Sequence, residues 1–269
     1  MFRKLVWFAV LYTFVVVVVG AFVRLTDAGL GCPDWPGCYG ELTPHHAKDD
    51  IAKAVEEQGG THGPVSMGKA WKEMFHRYIA GGLGLVILAI AVLAWVRRAE
   101  LRQSPLLACS VVAVVIFQAL LGMWTVIWLV KPVIVMSHLM GGLTTFSLLA
   151  VLAWWTTPNA MRVHVDAPRL RMLMWIGLAL LAVQIALGGW VASNYAALAC
   201  GLDFPKCKGA WWPSTDFAEG FVLWRGIGVD YEGGVLDASA RAAIQIAHRI
   251  GAAIVSAYFL FLGFPTNKI

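Results

Sequence analysis

Three histidines stand near the start of apolar stretches: His76 in Glu73-Met-Phe-His76-Arg77, His138 in Ser137-His138-Leu-Met-Gly141-Gly142, and His248 in Gln245-Ile-Ala-His248-Arg249. An ionisable side chain in such a setting is costly and marks a functional site by default. Two imidazoles facing each other across a helical bundle can supply both axial positions of a haem iron, whereas a histidine hydrogen-bonded between helices is the alternative for any one of them. Gly81, Gly82 and Gly84 follow His76, and Gly141 and Gly142 follow His138. Such small residues open room for a flat ring beside the backbone, and they also serve close helix packing. Glu73 lies three residues before His76 and so shares its helical face, where a carboxylate could move protons or stabilise positive charge on an oxidised substrate. Acidic residues also serve simply to stabilise helix N-termini. Arg24, Arg77 and Arg249 suit the paired hydrogen bonds that a haem propionate would take, or they snorkel to an interface.

The elements that must position these residues are membrane helices. The 269 residues are 59% hydrophobic and 14% charged, with a mean hydropathy of +0.70, where a soluble domain carries about 25% charged residues. A span needs about 20 mostly apolar residues as a helix, because lipid leaves no partner for bare backbone groups. Six such stretches run approximately over 5–23, 75–96, 105–129, 133–155, 172–192 and 242–262. The first follows Arg3 and Lys4 as a signal peptide would, but it is long and lacks a small-residue cleavage site. Arg3 and Lys4, then Arg97, Arg98 and Arg102, then Arg162, Arg169 and Arg171 fall on one side, which the positive-inside rule makes cytoplasmic. The connections 25–74 and 193–241 therefore lie outside, with the short turn at Lys131-Pro132. The net charge of +5 reflects this topology, and no interleaved aromatic and basic patch suggests nucleic acid.

The chain repeats itself. Gly20-Ala-Phe-Val leads to Cys32-Pro-Asp-Trp-Pro-Gly-Cys38-Tyr-Gly40, and Gly188-Gly-Trp-Val leads to Cys200-Gly-Leu-Asp-Phe-Pro-Lys-Cys207-Lys-Gly209. Each loop is followed by a helix with a His-Arg pair, so the repeat is parallel and two quasi-equivalent units are expected. The first unit is expected over 1–157, with the outer loop 25–74, and the second over 158–269, with two helices and the outer loop 193–241. The counterpart of His138 would fall beyond Ile269, so the second unit is expected to be incomplete. Cys32 with Cys38 and Cys200 with Cys207 read as short staples or redox-active pairs in an oxidising compartment; their spacings are wider than a zinc knuckle. Cys109 reads as a small buried apolar group. His45, His46, His62 and His164 read as solvated loop residues.

The run Gly20-Ala-Phe-Val-Arg-Leu-Thr-Asp-Ala-Gly-Leu-Gly-Cys-Pro-Asp-Trp-Pro-Gly-Cys-Tyr-Gly40, with Glu73-Met-Phe-His76-Arg77, Gln118-Ala-Leu-Leu-Gly-Met-Trp124, Leu187-Gly-Gly-Trp-Val-Ala-Ser-Asn194 and His248-Arg249, resembles the haem A synthase family. The resemblance covers essentially the whole chain. It implies an all-α integral membrane protein, an eight-helix bundle of two parallel four-helix repeats of which six helices are present here. It implies oxidation of a methyl group of haem O to the formyl group of haem A, for use by cytochrome oxidase. On this resemblance His76 and His138 flank the substrate haem O, Glu73 assists its oxidation, and His248 is an axial ligand of a haem b cofactor in the second unit. Cys32 and Cys38 match the family's functional pair, and Cys200 with Cys207 its second disulfide. The implied partners are membrane lipid, the enzyme that supplies haem O, the cytochrome oxidase assembly machinery and a second copy of the chain in a homo-oligomer. The implied location is a bacterial-type inner membrane, with the N-terminus cytoplasmic and the cysteine loops periplasmic. Other classes compatible with paired membrane histidines are a quinol-oxidising haem electron carrier and a haem transport or delivery protein.

Overall fold

A computed structural model describes residues 1–58, 60, 65–101, 104–157 and 168–263. Arg102, His62, Arg162 and His164 lie outside the described residues. The described residues form helices in the order α1 (Phe2–Leu25), α2 (Lys48–Glu57), α3 (Met67–Val96), α4 (Arg98–Leu101), α5 (Leu106–Ile127), α6 (Pro132–Trp155), α7 (Pro168–Ser193), α8 (Phe217–Gly220) and α9 (Ala238–Gly263). Six of them, α1, α3, α5, α6, α7 and α9, are long and apolar enough to cross a membrane, and the chain is a multi-pass helical membrane protein. Large apolar side chains such as Phe8, Leu11, Phe14, Trp154, Trp155 and Trp175 remain exposed along them, as lipid-facing surfaces require.

Helices α3 and α9 begin earlier than apolarity alone predicts, each with a capping side chain at its entry. Helix α3 starts at Met67, where Ser66 caps it by accepting the Lys69 N–H at 3.2 Å. Helix α9 starts after Asp237, whose carboxylate accepts the Ala240 N–H at 2.7 Å. A first turn or two rich in polar residues thus precedes the apolar stretch. His76 and His248 consequently sit in or just beyond the third turn of their helices, while His138 lies in the second turn of α6.

The residues divide into two compact units. The first comprises Met1–Val130, Ser137–Ala160 and Ile227–Glu232; the second comprises Lys131–Met136, Met161–Gly226 and Gly233–Ile269. In the first unit one core joins Val6, Ala9 and Val10 of α1, Leu83, Ile87 and Ile90 of α3, Ala108 and Val111 of α5, and Leu149, Leu152 and Ala153 of α6. These residues all come from the helix ends away from the disulfide loop. The packed core therefore fills that end, and the histidines occupy the other. A smaller cluster ties Cys32, Cys38, Ile51 of α2, and Ala70 and Met74 of α3 together above them. In the second unit Trp190 and Val191 of α7 pack on Ala240 and Ile244 of α9, with Val133 and Met136 against them. Cys200 and Cys207 pack on Ala242 and Ile246.

Three helices end in the same way. After α1 the N–H groups of Thr26, Asp27 and Ala28 bond to Phe22, Arg24 and Val23; after α5 those of Trp128, Leu129 and Val130 bond to Trp124, Val126 and Thr125; after α7 those of Asn194, Tyr195 and Ala196 bond to Trp190, Ala192 and Val191. The middle residue of each trio has positive φ: 46° at Asp27, 49° at Leu129 and 53° at Tyr195. This is the left-handed C-terminal cap usually made by glycine, here imposed on Leu and Tyr at a steric cost. Beyond the second of these caps, Lys131 is buried at 1% exposure, with its Nζ 3.6 Å from the centroid of the Trp224 ring. A cation held on an indole face is favourable when desolvated. The sequence reading passed over Lys131 as a turn residue.

Candidate functional site

Each spanning helix pair brings a glycine against a histidine. Were Gly20 of α1 to carry a Cβ, it would stand 2.9 Å from the His76 ring on α3; the corresponding distances are 3.4 Å from Gly122 of α5 to His138 on α6, and 3.3 Å from Gly188 of α7 to His248 on α9. Each glycine lies seven residues before the positive-φ residue of its cap. The cap and the glycine together set the imidazole beside the partner backbone. His76 and His138 belong to one unit and lie within electrostatic range of each other. Both keep a buried Nδ1 with no hydrogen-bond partner. Two half-buried imidazoles lying against glycines, with ring nitrogens unspent, form a donor set that suits a haem iron.

Glu73 lies one turn before His76 and is 4% exposed. Its Oε2 accepts the Cys32 N–H at 2.9 Å, and its Oε1 pairs with Arg77 Nη2. Arg77 Nη1 donates to the carbonyls of Asp34 at 2.8 Å and Gly37 at 2.6 Å. A buried charge is tolerable only when paired and hydrogen-bonded, and here one ion pair joins the disulfide loop to α3. Cys32 and Cys38 are disulfide-bonded, as are Cys200 and Cys207.

The two disulfide loops share their internal bonds. Cys38 and Glu41 exchange backbone hydrogen bonds, as do Cys207 and Ala210. Asp34 accepts the Gly40 N–H at 2.8 Å, and Asp203 accepts the Gly209 N–H at 2.7 Å. Trp35-Pro36 and Phe204-Pro205 are both cis. In the second unit Arg249 Nη1 donates to Lys206 O at 2.9 Å, repeating the Arg77 contact. The second unit differs beside this contact: Gln245 stands where Glu73 does, and its Oε1 is buried without a partner. Both arginines paired with histidines thus brace their own loops. Arg24 pairs with Asp27 at 3.1 Å.

Two residues have contacts that the sequence alone did not assign. Gln118 Nε2 donates to the backbone carbonyl of His138 at 2.8 Å. Gln184 Nε2 donates to that of His248 at 3.1 Å and lies 3.0 Å from its Nδ1. A signal was present, since Gln118-Ala-Leu-Leu-Gly122-Met-Trp124 and Gln184-Ile-Ala-Leu-Gly188-Gly-Trp190 share one spacing. His45 and His46 are exposed, and His46 Nδ1 pairs with Thr43 Oγ1.

The fold and this geometry define a class: a multi-pass helical membrane protein with histidines set against glycines across helix pairs, beneath disulfide-closed loops. A family model described as cytochrome oxidase assembly protein matches residues 3–267, and the chain belongs to that family. It is 42% identical over 254 residues to the heme A synthase of Shewanella oneidensis, covering 94% of this chain and 75% of that protein. The heme A synthases of Halalkalibacterium halodurans and Alkalihalophilus pseudofirmus are 30% and 29% identical to it, each over 74% of this chain. The chain spans 61% and 62% of their lengths.

Proposed function

We propose that this chain is a haem A synthase, which oxidises a methyl group of haem O to the formyl group of haem A for cytochrome oxidase. The observation that carries this reading is the buried Glu73 carboxylate, held one turn from His76 by Arg77 and the Cys32 N–H. An electron carrier or a delivery protein needs no fixed carboxylate beside its haem. Oxidation of a substituent does, because positive charge developing on it is stabilised by a preorganised anion. The second unit has Gln245 instead, which fits a cofactor site where no substituent reacts.

In this reading His76 and His138 flank haem O, and Glu73 assists its oxidation. His248 ligates a haem b cofactor, which supplies one-electron redox chemistry when bound. Arg24, Arg77 and Arg249 bring positive charge to the end where haem propionates would lie, while Arg77 and Arg249 also hold the loops. The two units are parallel repeats, a four-helix one over 1–157 and an incomplete one of two spanning helices over 158–269. The loops face the periplasm of a bacterial-type inner membrane and the N-terminus faces the cytoplasm. The enzyme that makes haem O, the cytochrome oxidase assembly machinery and a second copy of this chain are the partners.

Glu73→Gln tests the role of the carboxylate. Membranes carrying the variant, supplied with haem O, should retain haem O and lose haem A by at least about a hundredfold, the range for a single electrostatic or acid–base group. Haem A formation at the parental rate would remove Glu73 from the mechanism.

A further inference from the structure

Two of the three glycine-facing histidines are also held by an amide from the opposite helix. Gln118 and Gln184 each stand four residues before the facing glycine, one turn along the same face. Each amide reaches the main chain of the histidine itself. The third residue after each histidine is again glycine, Gly141 or Gly251, and a Cβ at either would overlap the glutamine Oε1. The α1–α3 pair keeps Gly20 but has Val16 at the glutamine position and Ile79 at the glycine position. The amide and the glycine that makes room for it are thus present together in two pairs and absent together in the third.

A backbone carbonyl can only accept, so the amide nitrogen, not its oxygen, must face His248 O. The second N–H on that nitrogen then points at Nδ1, 3.0 Å away. This geometry leaves the lone pair on Nδ1 and the proton on Nε2. An iron bound through Nε2 requires the opposite tautomer, with the proton on Nδ1, and the group receiving that proton tunes ligand basicity. At His138 no partner faces Nδ1. We infer that Gln184 is the positioning residue that sets the tautomer of His248: as iron binds, its amide rotates away from the His248 carbonyl and presents Oε1 to Nδ1–H. That oxygen is buried without a partner and has no bond to lose. Gln118 bonds only the main chain of His138 and fixes its height. This inference rests on the reading of His248 as an iron ligand.

The test uses the full chain carrying His76→Ala and His138→Ala, purified and loaded with iron protoporphyrin IX, so that His248 is the one histidine under study. Gln184→Glu supplies an acceptor for Nδ1–H that needs no rotation, and the haem midpoint potential should shift negative. Gln184→Leu removes the acceptor and should shift it positive. In a separate background carrying His248→Ala, with His76 and His138 intact, Gln118→Leu should leave the potential of the bound haem in place while lowering occupancy. Unchanged potentials in both Gln184 variants, with the histidine-ligated spectrum lost on His248→Ala, would overturn the role of Gln184 and leave the haem reading standing. A ligated spectrum that survives His248→Ala would overturn the haem reading of His248 and this inference with it. If Gln184→Leu fails to accumulate, the Glu variant alone decides by the sign of its shift.

Discussion

Arg77 touches three elements of the site with one side chain: Glu73, the loop carbonyls of Asp34 and Gly37, and through Glu73 the Cys32 N–H. Arg77→Lys keeps the charge but cannot reproduce the fork. We expect backbone hydrogen exchange over residues 32–41 to quicken by about tenfold, as loss of roughly 1.4 kcal/mol of charge-assisted hydrogen bonding would cause. Exchange at the parental rate would show that the disulfide alone holds the loop. The sequence displayed the His-Arg pairs and offered propionates or an interface as partners of the arginines, not their own loops. Nothing in the linear order indicates that an arginine points up into its own loop, because that depends on where the loop folds back. The glutamines were missed for a similar reason. A polar residue in an apolar run has no assigned partner until the neighbouring helix is placed beside it, although the spacing they share with a following Gly and Trp was readable.

At the scale of the helix pair, the glycines set how close an imidazole comes to the opposite backbone. Gly20→Ala places a methyl 2.9 Å from the His76 ring, closer than Cβ contacts tolerate, whereas Gly122→Ala gives 3.4 Å at His138. We expect Gly20→Ala to displace the His76 ring and lower haem occupancy of the first unit several-fold more than Gly122→Ala, as measured by haem-to-protein ratio after purification. Equal occupancies would mean that the ring moves freely. The entry into α9 adds a pH dependence. Hydrogen bonds from Ala240 N–H and Ser239 hold the Asp237 carboxyl below the usual carboxylate range. A depressed carboxyl pKa stabilises the fold above the unfolded pKa, and this is lost as pH falls through the folded value. Acidification should therefore fray the start of α9, seen as lower hydrogen-exchange protection relative to the intrinsic rate at Ala240 and Arg241 at low pH, and Asp237→Ala should abolish that dependence. The six spans were legible in the sequence because hydrophobic length is a local property. The early starts of α3 and α9 were not, since Ser66 and Asp237 cap turns whose own residues are polar.

At the scale of the molecule, repetition was legible where it was written in cysteines, the glycine runs before them and His-Arg pairs, and hidden where only backbone geometry carries it. The shared caps at Asp27, Leu129 and Tyr195 have no residue type in common. They nevertheless reveal a two-helix hairpin as a smaller recurring unit than the four-helix repeat read from the loops. Topology is tested at this scale. A reporter active only outside the cytoplasm, fused after Thr26 or after Ala199, should be active, and one fused after Arg97 should be inactive. The reverse pattern would invert the orientation drawn from the positive-inside rule.

The most direct test of the proposed activity is mass spectrometry of haems extracted from membranes that express this chain and are supplied with haem O. The account predicts haem A or its hydroxylated precursor, lost in His76→Ala and in Glu73→Gln. Haem O and haem b alone, with the protein folded and haem-loaded, would contradict it.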